Sequence, residues 1–204
     1  PDQIYSWSDA NKTTPKTSAP ALSETIELFR PYVEEGRDIV CFSISNSMSS
    51  SGNVMQLAAE ELDAQDLITV IDSANLSTGI GLLVIEAAIL AQNNKTAAEI
   101  SVAVENLKPY VRASFVVDTL TYLHRGGRCS AIAAMAGGLL KLHPQIIVEH
   151  GAMKPTKKYR GKMDSVILSY VKDMEPALKH ARPARVFITH SGCEPTIVNA
   201  VRSY

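Results

Sequence analysis

Two short apolar runs, DIVCFSI and LITVID, flank one amphipathic helical pattern, NVMQLAAEELD, between Asp38 and Asp72. Each run is almost unbroken by polar residues, the mark of a strand covered on both faces in a parallel sheet. The helical patterns LLVIEAAILAQN and TAAEISVAVENLKPYV come next. Strand, helix, strand, helix is a βαβ rhythm, and it predicts a three-layer α/β domain. No other feature of the chain restricts its fold as much.

The flanking sequence is read against that unit. Ser23 is expected to cap a helix through ETIELFRPYVEEG, kinked or shortened by Pro31 and ended near Gly36. The first twenty residues carry the Pro, Ser and Thr of an irregular segment. From Pro109 the texture changes. RASFVVD reads as a strand and TLTYLHRGGRCSAIAAMAGGLLKL as helical pieces broken by glycine pairs. HPQIIVEHGAMKPTKKYRG reads as a hairpin turning near His150-Gly151, MDSVILSYVKDMEPAL as a helix and ARVFITH as a closing strand. Residues 1–108 are thus expected to form an α/β/α domain with a serine-rich loop, and residues 109–204 a second, smaller α/β domain. The chain opens without a first strand and stops within the helical pattern TIVNAVRSY, so part of the fold is expected to lie beyond both ends.

Composition narrows the function classes. The chain is 46% apolar and 20% charged, as a globular protein with a real core requires. A net charge of −1 offers no electrostatic attraction for nucleic acid or an anionic membrane. No apolar run approaches the ~20 residues that span a bilayer, and no leader pattern opens the chain. Cys41, Cys129 and Cys193 lack pairing or metal-type spacing and read as reduced thiols of a cytoplasmic protein. The five histidines form no HxH or HExxH, so no metal site is expected. The six methionines read mostly as core filler, and methionine also suits a pocket for a flexible chain.

Three strand ends carry polar residues: Ser45 to Ser51, Asp72-Ser73 and His190-Ser191. Ligands of open α/β sheets bind outside the carboxyl ends of strands, where helix N-termini present backbone N–H groups. Six serines stand between Cys41 and Leu62, more than a turn or a helix cap uses. Hydroxyls there add donors without charge, which suits an anionic head such as a carboxylate or phosphate. A serine hydrolase would need a GxSxG elbow or a glycine-rich oxyanion loop, and neither occurs. His190 with Asp72 or Asp118 completes a triad only on paper. No GxxxxGK[ST] phosphate loop is present. HRGGRCS places two arginines around a glycine pair, as a phosphate site, a partner surface or a solvated helix end.

These segments together resemble a known family. PKTSAP, SISNSMSSSGN, VIDSANLSTGIGLLVIEAAILA, VDTLTYLHRGGRCS, GGLLKLHPQI and ITHSGC occur in the order and spacing of the DegV family, which includes the fatty-acid-binding subunits of bacterial fatty acid kinase. The resemblance runs over essentially the whole chain. It implies a two-domain α/β protein with a mixed sheet in the smaller domain and a fatty acid in an apolar tunnel between the domains. It places the carboxylate donors on Thr17, Ser49 and His190, and it puts the Arg125 to Arg128 segment near a kinase partner's surface. It implies a non-catalytic lipid-binding protein of phospholipid metabolism, with no cofactor, whose partners are a long-chain fatty acid and a separate fatty acid kinase catalytic subunit. A hydrolase or transferase using Ser49 and His190 is the alternative. The chain departs from the family in two places. Ser49-Ser50-Ser51-Gly52 stands for SGTY, losing the tyrosine and shifting the glycine, and Lys141-Leu142-His143-Pro144 stands for NIKP.

Overall fold

β1 (Ile39–Ser43) and β2 (Ile68–Asp72) pair in parallel, with Ile39 opposite Ile68 and Ser43 opposite Asp72. This pairing comes from a computed structural model that describes residues 2–127 and 142–204. Side chains alternate across a strand, so each strand feeds two separate cores. Ile39, Cys41, Ile68 and Val70 meet α2 (Leu22–Glu34) and α3 (Ser51–Glu61) through Phe29, Ala58 and Ala59. Val40, Phe42 and Ile71 point the other way, onto α4 (Thr78–Gln92) and α5 (Ala97–Leu107), where Leu83, Ala87, Ile100 and Val104 are buried. The unbroken apolar runs of the sequence are thereby explained: the sheet is the middle of three layers. Leu83 and Ile71 are 1% and 2% exposed, and burial of each contributes about 1.5–3 kcal/mol.

Helix ends follow local chemistry. Thr96 caps α5 by accepting from Glu99 N at 3.3 Å, while the Glu99 carboxylate accepts from Thr96 N at 2.9 Å, a reciprocal capping box. The cap of α2 is Ala21, not Ser23 as expected. Ala21 holds the extended backbone of a cap, and the Glu24 carboxylate accepts from its N–H at 3.3 Å. Pro31 sits inside α2 without ending it.

The antiparallel sheet has the order β3-β4-β5, from β3 (Ser114–Val116), β4 (Leu142–Glu149) and β5 (Ala152–Arg160). His150 and Gly151 join β4 to β5 with φ of 50° and 75°, the two left-handed residues of a tight hairpin. α6 (Thr121–Arg125) sets Leu123 against Phe115, Ile146 and Met153, and α7 (Met163–Leu178) buries Val166, Tyr170 and Val171 with Tyr159. Met55, Met153, Met163 and Met174 are core filler, as expected. The chain closes with a 3-10 turn at Pro183–Arg185 and α8 (Pro195–Ser203).

Two compact units result. One comprises Thr17–Ala113 with Val148–Ala152, and the other Pro1–Lys16, Ser114–Ile147 and Met153–Tyr204. Two further expectations are corrected. The first twenty residues include a helix, α1 (Asp2–Asn11). ARVFITH is no strand: Val186, Phe187 and Ile188 are each 47% exposed, and no ladder pairs them among the described residues. Their composition favours a strand, but a strand exists only with a partner, and three consecutive side chains at equal exposure show no in–out alternation. The glycine-broken pieces beyond Gly127, with Arg128, Cys129 and Lys141, lie outside the described residues.

Candidate functional site

The loop between β1 and α3 is a hydroxyl network braced on three sides. Ser45 is 2% exposed and donates its N–H to Asn75 O at 2.9 Å, which ties this loop to the one after β2. Ser45 O accepts from Met48 N at 2.8 Å and Ser49 N at 3.1 Å, turning the chain sharply. Asp72 Oδ1 accepts from Ala74 N at 2.8 Å and Asn46 N at 3.3 Å, so one carboxylate joins both loops. Lys108 Nζ donates to Asp72 O at 2.9 Å and pairs with Glu105 at 2.6 Å. The Ser47 hydroxyl donates to Gly151 O in the β4–β5 turn.

Ser49 lies half-buried in this bend, and its Oγ accepts from Ser51 N at 3.2 Å, satisfying the first free N–H of α3. Ser49 Oγ also lies 2.8 Å from Ser51 Oγ. With Ser51 as donor in that contact, the Ser49 hydroxyl accepts twice and keeps its own proton for an acceptor outside the loop. A carboxylate or phosphate oxygen is the natural acceptor, because a charge-assisted hydrogen bond is about twice as strong as a neutral one. The first turn of α3 adds the positive end of the helix dipole. Beneath it the Ser43 hydroxyl is buried with no partner among the described residues. At Gly52 a Cβ would stand 2.5 Å from Asn46 Oδ1 and 2.9 Å from Ser43 Oγ, so a larger residue would have to displace both side chains. This close approach accounts for glycine where the resemblance expects tyrosine.

Thr17 lies exposed on the extended chain before α2, in the same unit as Ser49. His190 lies exposed on irregular chain in the other unit, next to Ser191, whose Oγ is 3.0 Å from Tyr5 OH. Asp72 is engaged by backbone N–H groups, and Asp118 lies 3.8 Å from His143. His143 is buried with its ring nitrogens 3.2 Å from Val117 O and 3.1 Å from Gly161 O. Burial pushes the Cys41 thiol up to about 11, as suits an inert core thiol. Among the described residues no group of three potential ligands could hold a metal, and no helix is long and apolar enough to cross a membrane.

Arg125 sits in a different constellation. Its Nη1 donates to Ser8 O at 3.1 Å, Ser8 Oγ at 3.0 Å and Asp9 Oδ1 at 3.2 Å. Its guanidinium lies 5.7 Å from the centre of the Tyr122 ring, and Tyr122 OH donates to Asp9 at 3.0 Å. The Asp9 carboxylate raises the Tyr122 phenol above its ordinary value by accepting that hydrogen bond. Arg125 therefore fastens α1 to α6. Sequence reasoning missed Asp9 and Gly151 as partners of the residues it singled out. Neither stands near those residues in the chain.

Comparison with known proteins follows the same lines. The profile of the DegV family, described as uncharacterised, matches residues 1–204. A DegV domain-containing protein of Clostridium acetobutylicum is 31% identical over 173 residues, covering 84% of this chain and 62% of its own. The chain thus spans about three fifths of that relative's length. Among solved structures, a fatty-acid-binding DegV family protein of Thermus thermophilus superposes with a TM-score of 0.74 at 25% identity, over 88% of this chain and 61% of that one. A stearic-acid-binding protein of Eubacterium ventriosum gives 0.72 at 27% identity, over 88% and 64%.

Proposed function

This chain belongs to the DegV family, and on that premise we propose that it is a non-catalytic carrier that holds a long-chain fatty acid by its carboxylate and presents it to a separate kinase. The observation that carries the reading is Ser49, whose Oγ accepts from Ser51 N at 3.2 Å and lies 2.8 Å from Ser51 Oγ, so that with Ser51 as donor its own proton is free for a ligand. Thr17 and His190 are assigned as the further donors by the family resemblance. The fatty acids bound by the Thermus and Eubacterium proteins support the ligand class. Each buried methylene contributes about 0.8 kcal/mol, so the acyl tail supplies most of the affinity and the head group sets its orientation. A donor cluster matched to a ground-state carboxylate binds the acid without accelerating ester hydrolysis. The carrier is expected in the cytoplasm, where a kinase and its nucleotide are found.

The deciding experiment is native mass spectrometry of the purified protein, followed by reloading with stearic acid and addition of a fatty acid kinase with ATP. A co-purifying fatty acid and kinase-dependent acyl phosphate support the proposal. Fluorophosphonate labelling of Ser49 that His190→Ala abolishes would replace it with the hydrolase reading.

A further inference from the structure

The β4–β5 turn belongs to the same compact unit as the serine loop, although β4 and β5 are otherwise grouped with the other unit. Only Val148–Ala152 are so placed. Gly151 O accepts from the Ser47 hydroxyl. The Ser47 proton being engaged there, the 3.2 Å contact between Ser45 Oγ and Ser47 Oγ has Ser45 as donor. Ser47 N returns to Ser45 Oγ at 3.4 Å, closing a small ring of hydrogen bonds. The ring holds the same Ser45 whose carbonyl accepts from Ser49 N. The backbone of Ser49 is thus held two steps away from Gly151.

Any side chain at this position would have to displace the Ser45 hydroxyl. Gly151 has φ of 75°, and a Cβ there would stand 2.6 Å from Ser45 Oγ and 3.7 Å from Ala74 Cα. Both atoms belong to the two loops that Asp72 joins. An ordinary hairpin needs glycine only for its backbone angle. This one also needs the missing side chain, because the tip is pressed onto the serine loop.

We propose that the His150-Gly151 turn is a positioning element for the head-group donor: it locks Ser45 and Ser47 so that the Ser49 hydroxyl is aimed at the ligand's carboxylate. This inference rests on the carrier reading above. A bound carboxylate takes a charge-assisted hydrogen bond from the aimed donor, whereas an alcohol of equal length shares the tail contacts and offers only a neutral, weaker acceptor. The preference for acid over alcohol therefore reports the positioning, and overall packing does not.

Displacement of a fluorescent acyl probe by stearic acid and by 1-octadecanol reads that preference in wild type, Ser49→Ala, Gly151→Ala, Ser47→Ala and Ser47→Thr. The wild type should prefer the acid roughly tenfold to a hundredfold, and Ser49→Ala should erase most of this. Gly151→Ala and Ser47→Ala should each cut the preference severalfold with octadecanol affinity unchanged, and Ser47→Thr should restore it. Adding Gly151→Ala to Ser49→Ala should cost nothing further, because both act on one donor. A full acid preference in Ser47→Ala overturns the proposal and leaves the carrier reading intact. Parallel loss of acid and alcohol binding also overturns it, making the turn a packing element. No acid preference in wild type defeats the carrier reading itself, and the proposal with it. If Gly151→Ala fails to fold, the two Ser47 variants decide the matter.

Discussion

The serine loop and the Arg125 clasp are the two densest polar clusters that sequence reasoning singled out, and they are built on opposite terms. Ser43 to Ser51 carry no charged side chain, their N–H groups are held by Ser45 O, Asn75 O and the Asp72 carboxylate, and Ser49 keeps its proton when Ser51 donates to it. In the clasp a full positive charge already has its anion, Asp9, together with a carbonyl, a hydroxyl and an aromatic face. A cluster of uncharged donors that lacks a counter-charge is suited to receive one. A cluster that carries its own counter-ion is a fastener. Charge alone would have pointed to the arginine as the anion site, and the hydrogen-bond inventory points to the serine.

That contrast is sharpened first by Ser49→Ala. Loss of a hydrogen bond to a charged group costs about 1.5–3 kcal/mol, so acid affinity should fall tenfold to a hundredfold by calorimetry. The melting temperature should barely move. Gly79→Ala comes next. A Cβ there would overlap Asn75 Oδ1 and stand 2.5 Å from its Cγ, and Asn75 is 4% exposed. Overpacking of this kind costs about 1–3 kcal/mol in stability, visible in chemical denaturation. Because Asn75 O braces Ser45, fatty acid affinity should drop as well.

Arg125→Ala should do the reverse of Ser49→Ala. With its side chain 20% exposed and Asp9 58% exposed, the pair is worth about 1 kcal/mol, so stability falls modestly while fatty acid affinity stays. Reduced affinity with unchanged stability would make the arginine part of the ligand site and collapse the distinction. A drop in acyl phosphate formation with both properties unchanged would instead place it at the kinase contact.

The smallest effect is a pH control on the α5 cap. The Lys95 ammonium hydrogen-bonded to Glu99, helped by the Thr96 N–H, lowers its carboxyl from 4.5 to about 2. A depressed carboxylate stabilises the fold fully above its unfolded value and loses that contribution as pH falls toward the folded one. Glu99→Gln should therefore flatten the stability profile between about pH 4.5 and about pH 2 without changing acid preference at pH 7. A changed preference would mean that α5 communicates with the serine loop.

Much of this molecule was legible before its structure. Met163–Leu178 coincides with the helix read from MDSVILSYVKDMEPAL, and the hairpin turn falls at His150-Gly151. Thr96 with Glu99 encodes the start of α5 within four residues. α1 was illegible because DQIYSWSDAN leaves Ile4 57% and Trp7 47% exposed and so lacks a buried apolar stripe. Its anchors are Asp9 on Arg125 and the Tyr5 ring 5.0 Å from Tyr122. Within the candidate site, the crowding of serines was visible, and which hydroxyl accepts the first N–H of α3 was not.

Local sequence specified the parallel strands, their helices and the hydroxyl-rich loop between them, because periodicity, caps and turns are written in neighbouring residues. Long-range packing left VFI without a ladder among the described residues, gave Arg125 to a helix 116 residues away in sequence, and set Gly151 against a serine 104 residues before it. The physical reason is that a ladder, an ion pair or a close approach exists only when a distant partner arrives, and no local pattern specifies which partner that is.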